Sequence, residues 1–176
     1  MTFAPDIPQT LTTTYLEMTS RPQLHGALQK SDDIRIERMN EVDVNFYLYL
    51  YKAVGEKCRW RDRLVMSRSE LHQILSKPTT HVYVLTVGGT PAGYVELDEQ
   101  GDSTEIAYFG LREAYHGRGL GKYLLSFGIN QAWEQGAKRV FVHTCNLDGS
   151  HALANYQKRG FRVYMQHNEP MPQRYL

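Results

Sequence analysis

Three alternating glycines stand in the run Tyr115-His116-Gly117-Arg118-Gly119-Leu120-Gly121-Lys122, between a stretch that reads as a strand and one that reads as a helix. Glycine lets the backbone approach a ligand closely, and successive amide N–H groups at a helix N-terminus attract phosphate oxygens. Arg118 and Lys122 add positive charge at the same place. Two phosphate motifs can be tested here and both fail. A P-loop needs Gly where His116 stands and Ser or Thr where Tyr123 stands. The dinucleotide fingerprint needs Gly at Lys122, after a βαβ unit rather than a meander. A tight strand-to-helix turn with no ligand is the plain alternative.

A second constellation is acidic. If Gln100-Gly101 forms a two-residue turn, Asp98 faces Ser103 and Glu96 lies directly opposite Glu105. Opposed carboxylates repel, so one is expected to have a raised pKa unless a cation sits between them. An ammonium group would be such a cation. Glu105 is the preferred proton acceptor because it shares a strand face with Ala107, Phe109 and Leu111, and Glu96 is the second choice. Two solvated carboxylates, or a salt bridge to an arginine, fit the same residues, and a three-residue turn would remove the juxtaposition. His143, Cys145 and His151 match no recognised ligand spacing, so no metal is expected. The tyrosines of residues 47–51 lack an accompanying basic stripe and read as core or interface.

These residues need elements to position them. Residues 34–39 alternate as a strand, and residues 41–54 form a helix stopped at Gly55, with Asn40 as N-cap and Asp43 three residues on. Ser67 and Glu70 make a capping box for a short helix ending before Pro78. Strands follow over residues 81–87, 92–97 and 104–111, joined by Gly88-Gly89 and Gln100-Gly101. After the glycine turn come a helix (120–135), a strand (139–144), a helix (150–159) and a strand (161–165). A central meander with crossovers at both ends predicts an α/β (α+β) fold, a mixed, mostly antiparallel sheet with helices on both faces. Residues 1–32 read as an N-terminal arm carrying a peripheral or edge strand over 10–18. The domain proper spans 33–168 and a tail 169–176.

Composition sets the outer bounds. The 176 residues, 41% hydrophobic and 22% charged, fit one domain with a sizeable core. Twenty Lys and Arg against 19 Asp and Glu leave a charge of +1, which argues against nucleic acid or an anionic membrane as partner. No apolar run approaches the roughly 18 residues of a membrane span, and the first ten residues lack a signal-peptide pattern. Cys58 and Cys145, far apart and outside any C-x-x-C, suit a reducing cytoplasm.

The glycine turn resembles the pyrophosphate loop of the GNAT superfamily of N-acetyltransferases, [Q/R]-x-x-G-x-[G/A], with Gly119 and Gly121 matching and His116 departing at the first position. The strand before it resembles that family's fourth strand. Ala152-Leu-Ala-Asn-Tyr156-Gln-Lys-Arg-Gly160-Phe161 is similar to the family's A-x-x-x-Y-x-k-x-G-F ending. Gly149 stands where the family carries Asn, and Asn146 is the candidate substitute. The likeness runs from about residue 34 to 165, and extends to uncharacterised bacterial members with a Trp-x-Asp-Arg loop, here Trp60-Arg61-Asp62-Arg63.

The resemblance implies acetyl-CoA as cosubstrate and a primary amine as acceptor. It places the pyrophosphate on His116, Gly117, Arg118, Gly119, Leu120, Gly121 and Lys122. It places the pantetheine arm along Phe109, Gly110 and Leu111, where the family's fourth and fifth strands splay. A backbone N–H there would polarise the thioester carbonyl. Tyr156 matches the family's acid for the departing thiolate; a packed aromatic retained for contact with the cofactor is the plain alternative. Trp60, Asp62 and Tyr47 are candidates for the acceptor pocket, an aromatic wall with an acid, while Trp60 as a loop anchor fits as well. Direct attack needs neither cysteine. A homodimer is an expectation from relatives. The competing reading is a non-catalytic acyl-CoA-binding or regulatory module.

Overall fold

In the computed structural model, which describes residues 7–27 and 31–176, glycine geometry settles the hairpins first. Gly88 and Gly89 adopt positive φ of 55° and 80° between β3 (Thr80–Val87) and β4 (Thr90–Gln100). This is the turn expected from the sequence. Between β4 and β5 (Ser103–Leu111) the turn lies one residue later than expected. Gln100 pairs with Ser103, and Gly101, at φ 64°, takes the first central position. That is the glycine-first arrangement of a type II′ hairpin.

The remaining elements are β1 (Thr10–Met18), β2 (Ile34–Arg38), α1 (Val44–Gly55), α2 (Arg68–Leu75), α3 (Leu120–Glu134), β6 (Arg139–Cys145), α4 (Ala152–Lys158) and β7 (Arg162–Pro170). Asp43, rather than Asn40, caps α1, its carboxylate accepting from Phe46 N at 3.0 Å. The Ser67–Glu70 capping box of α2 forms as expected. β7 runs five residues beyond its expected end and takes in the start of the tail.

Seven strands form one sheet in the order β2-β3-β4-β5-β6-β1-β7. Every neighbouring pair is antiparallel except β5 and β6, which the crossover through α3 makes parallel. Thr10–Met18 is therefore not an edge strand. It lies between β6 and β7, hydrogen-bonded on both sides, with Leu16 and Met18 completely buried. The apolar side chains of TLTTTYLEM need a covered face, and an interior position also satisfies both rows of backbone groups. β7 takes the edge instead, with Val163, Tyr164 and Met165 exposed. Residues 1–6 and 28–30 of the expected arm lie outside the described residues.

Helices cover both faces. On one, α3 and α4 bury Leu120, Leu124, Ile129 and Tyr156 against Val95, Leu97, Ile106, Val140 and Val142. On the other, α1 and α2 bury Tyr47, Leu50, Tyr51, Leu71 and Leu75 against Val82, Val84 and Tyr94. We call the α1/α2 side the front.

Candidate active site

β5 and β6 pair only from Ser103–Arg139 to Ile106–Val142. Beyond that point β5 continues on β4 alone and β6 on β1 alone, so the two strands part into a fork. A bulge sits at the apex. Glu96 pairs with Tyr108 and Leu97 with Ile106, leaving Ala107 without a partner on β4. The extra residue breaks the side-chain alternation. Ile106 and Phe109 both pack on the α3/α4 side, while Tyr108 joins the α1 cluster. The expectation that Glu105 shares a face with Phe109 and Leu111 therefore fails; Glu105 lies on the front. Gly110 lets α1 approach this strand, since a Cβ there would come within 2.5 Å of Val54 Cγ1.

The glycine turn lies just past the end of β5. Gly117 and Gly119 hold φ of 73° and 75°, the left-handed region in which L side chains are strained. Gly119 is the N-cap of the 15-residue α3. His116, at the departing family position, donates from Nε2 to Leu111 O at 3.0 Å and ties the loop back to β5. Arg118 stacks over Tyr115, 5.3 Å from its centroid, and both Arg118 and Lys122 are exposed. The N-terminus of a long helix, two exposed cations and the open end of β5 thus follow one another, a donor set that fits a pyrophosphate with an extended arm.

Tyr156 borders the same fork from α4. Its ring lies 6.2 Å from Phe109 and 6.0 Å from Phe161. Burial first, then the charge of Asp148, pushes its phenol well above the ordinary tyrosine value, so it keeps its proton. Asn146, expected to contact cofactor, has another task. Its Oδ1 accepts from Thr12 N at 3.1 Å and its Nδ2 donates to Thr10 O at 2.9 Å, clipping β1 to the end of β6.

The two carboxylates do not face one another. Because of the shifted turn, Glu105 lies opposite Asp98, and the bulge sets Glu96 opposite Tyr108. Glu96 is wholly buried and accepts from Tyr47 Oη at 2.5 Å and Arg63 Nη2 at 2.6 Å. Burial raises its carboxyl above the ordinary value while the Arg63 charge opposes the shift. Arg63 shows the same balance in reverse: burial works against its charge, but Glu96 holds it firmly protonated. The group is a closed internal ion pair, which excludes Glu96 as an accessible base and Tyr47 as a pocket wall.

Trp60 and Asp62 lie on the loop after α1, with Trp60 packed on the front cluster. Trp60 packs on Tyr51 and Tyr108, with centroids 5.3 and 5.2 Å away, over the bare backbone of Gly55. Its Nε1 donates to Asp148 Oδ1 at 3.4 Å. Asp62 pairs with Arg174 Nε at 2.8 Å and accepts from Tyr175 Oη at 3.3 Å, so the chain after β7 folds over this loop. Glu105 meets His143 Nδ1 at 3.2 Å and Gln100 Nε2 at 3.0 Å. Tyr108 and Asp148, not singled out from the sequence, join this face, together with Arg63, read only as part of the Trp-x-Asp-Arg loop, and His143, weighed only as a metal ligand. Only Asp148 carried a local signal: its carboxylate accepts from Cys145 N and Thr144 Oγ1 in a side-chain-closed turn of the Asn-Leu-Asp-Gly run. Among the described residues no group of three or more His, Cys, Asp or Glu side chains could hold a metal ion. No helix there is long and apolar enough to cross a membrane.

Comparison with known proteins agrees with this geometry. Residues 43–161 match the family described as the acetyltransferase (GNAT) family. The chain is 36% identical over 89 residues to a mycothiol acetyltransferase of Corynebacterium efficiens, covering 50% of this chain and 30% of that protein. It is 34% identical over 82 residues to the uncharacterized N-acetyltransferase YvbK of Bacillus subtilis, covering 46% of this chain and 52% of that one. It thus spans under a third of the first relative and about half of the second. In fold it is similar to a GCN5-related N-acetyltransferase from Sphaerobacter thermophilus, with a TM-score of 0.67 at 15% identity, over 93% of this chain and 52% of that one. A Bacillus subtilis acetyltransferase in complex with CoA superposes at 0.58, with 24% identity, over 75% and 78% of the two chains. With the fork, the glycine turn and the family match in agreement, this chain belongs to the acetyltransferase (GNAT) family.

Proposed function

We propose that this chain is an N-acetyltransferase that moves the acetyl group of acetyl-CoA directly to a primary amine of a small molecule or an exposed protein amine. The observation that carries this reading is the fork beyond Ile106 and Val142, with the left-handed glycines at its mouth and Tyr156 on its flank. The pyrophosphate would rest on the amides of residues 118–122, and the pantetheine arm would follow the open edge of Phe109, Gly110 and Leu111. There the unpaired backbone offers N–H groups to the thioester carbonyl as negative charge develops on it.

The acceptor would enter from the front, between the Trp60–Asp62 loop and the face carrying Glu105. No covalent enzyme intermediate is needed. Tyr156, protonated at any working pH, would donate its O–H toward the departing sulfur. Burial pushes the Cys145 thiol up to about 11, which suits a bystander rather than a nucleophile. A reducing cytoplasm is the proposed setting, and a homodimer is the proposed assembly.

Thermal shift with acetyl-CoA, followed by thiol release against a panel of amines, tests the reading. Stabilisation together with amine-dependent thiol release supports it. Stabilisation without release for any amine favours the acyl-CoA-binding module, and no stabilisation defeats both.

A further inference from the structure

His143 is the first residue of β6 past the fork, and Glu105 is the residue of β5 just before its apex. Val142 and Ile106 point into the α3/α4 core, so strand alternation sends His143 and Glu105 to the front. Their side chains meet there, Nδ1 to Oε1 at 3.2 Å. The two are unequally open. The imidazole is 47% exposed and the carboxylate 18%, so the histidine is the more accessible of the two. Gln100 Nε2 donates to the other glutamate oxygen at 3.0 Å and fixes its plane. The Tyr15 ring, 5.7 Å away, flanks the imidazole from β1.

We propose that His143 is the catalytic proton acceptor of the transfer reaction and that Glu105 is its positioning residue, holding the Nδ1 proton so that Nε2 faces the acceptor amine. The proposal rests on the N-acetyltransferase reading above and replaces Glu105 as the direct base. An ammonium acceptor has three N–H bonds and the amide product has one, so two protons must leave. One passes to the Nε2 lone pair before attack, giving an imidazolium paired with Glu105. The freed amine lone pair then forms the N–C bond while the C–S bond breaks and its electrons depart with sulfur. Tyr156 gives its O–H proton to that thiolate and regains one from the second amine proton, and His143 returns its own proton to water.

The charges facing His143 all favour this role. Glu105 from β5, Asp148 from the turn after β6 and Asp62 from the loop after α1 are acidic, and their combined effect raises the imidazole pKa above its ordinary value. The hydrogen bond to Glu105 is the largest cause and burial opposes it. Asp62 is partly offset by Arg174, and Asp148 is engaged by Thr144 and Trp60. A base lifted in this way accepts a proton from an ammonium more readily.

The test uses the full chain in two measurements. Imidazole nitrogen NMR should show neutral His143 as the Nδ1–H tautomer, and Glu105→Gln should lower its titration midpoint; an Nε2–H tautomer would overturn the pair. Thiol release from acetyl-CoA, with spermidine and tyramine as amine probes between about pH 5 and 9, should rise along an acid limb in the wild type. His143→Gln should lower kcat at least about 100-fold, remove that limb and leave the KM for acetyl-CoA in place. His143→Ala should be partly rescued by added imidazole, a response that a merely structural role would not give. A His143→Gln enzyme within about threefold of wild type with its limb intact overturns the proposal. A wild type that binds acetyl-CoA but releases no thiol overturns the transfer reading instead, and with it this role.

Discussion

Arg63 reaches from the loop after α1 to Glu96 in the middle of β4, Nη2 to Oε1 at 2.6 Å, with both side chains out of solvent at 11% and 1% exposure. Tyr47 of α1 closes the same carboxylate from above, and the guanidinium lies over the Tyr108 ring at 5.1 Å. The pair therefore pins the Trp60–Asp62 loop to the sheet, beside the residues proposed to meet the acceptor.

Arg63→Met should destabilise the protein by about 3–5 kcal/mol, because it strands a buried carboxylate. Urea unfolding will read the loss, and its pH dependence tests the cause. Without Arg63, burial leaves the folded-state Glu96 pKa above its unfolded value. The folded state then holds a proton that the unfolded chain releases. Stability is greatest below the unfolded carboxylate range and falls as pH rises through the folded value. The deficit should therefore be smaller near about pH 5 than at neutrality.

Gly121 offers a clean probe of the cofactor turn. Its φ is not in the left-handed region, and a Cβ there would meet Leu111 Cδ1 at an ordinary 3.7 Å. Gly121→Ala should fold and melt like the wild type. If a pyrophosphate rests on these amides, affinity for coenzyme A in calorimetry should fall by roughly tenfold. Gly119→Ala should lose stability as well, since its φ of 75° strains any L side chain.

Tyr156→Phe separates packing from proton donation. The ring keeps its contacts with Phe109 and Phe161, so unfolding should shift little. Turnover should fall at least about tenfold in the thiol-release assay. Unchanged turnover would leave Tyr156 as a packed aromatic alone.

Asn146→Ala distinguishes the clip from a cofactor contact. Losing both bonds to β1 should cost about 1–2 kcal/mol in denaturant unfolding, while affinity for acetyl-CoA should stay within about twofold.

Cys145→Ala should retain wild-type turnover. With its thiol pushed up to about 11 by burial and by Asp148, Cys145 should also react slowly with iodoacetamide at neutral pH.

Much of the fold was legible because it is written in local chemistry. Gly88-Gly89 demanded a turn, Ser67 with Glu70 demanded a helix start, and the alternating and helical apolar spacings named the layers. The glycine turn could be read in advance, since close backbone approach and left-handed φ require that residue type. The acid pair could not. Its juxtaposition depended on which two residues occupy the Gln100–Ser103 turn and on whether β5 carries an extra residue, and neither the glycine at 101 nor Ala107 announces its choice locally. A shift of one residue in the turn and one bulge were enough to bury Glu96 with an arginine from another element and bring Glu105 to His143, 38 positions away.

The sequence by itself determined the element types, the phosphate-friendly turn and the family signature, because these rest on backbone propensity and short spacing. The tertiary structure decided where Thr10–Met18 lies in the sheet, which carboxylate is sealed and which is open, and that Asn146 serves a strand. These depend on strand register and on partners distant along the chain, whose energies arise only once the sheet has closed around them.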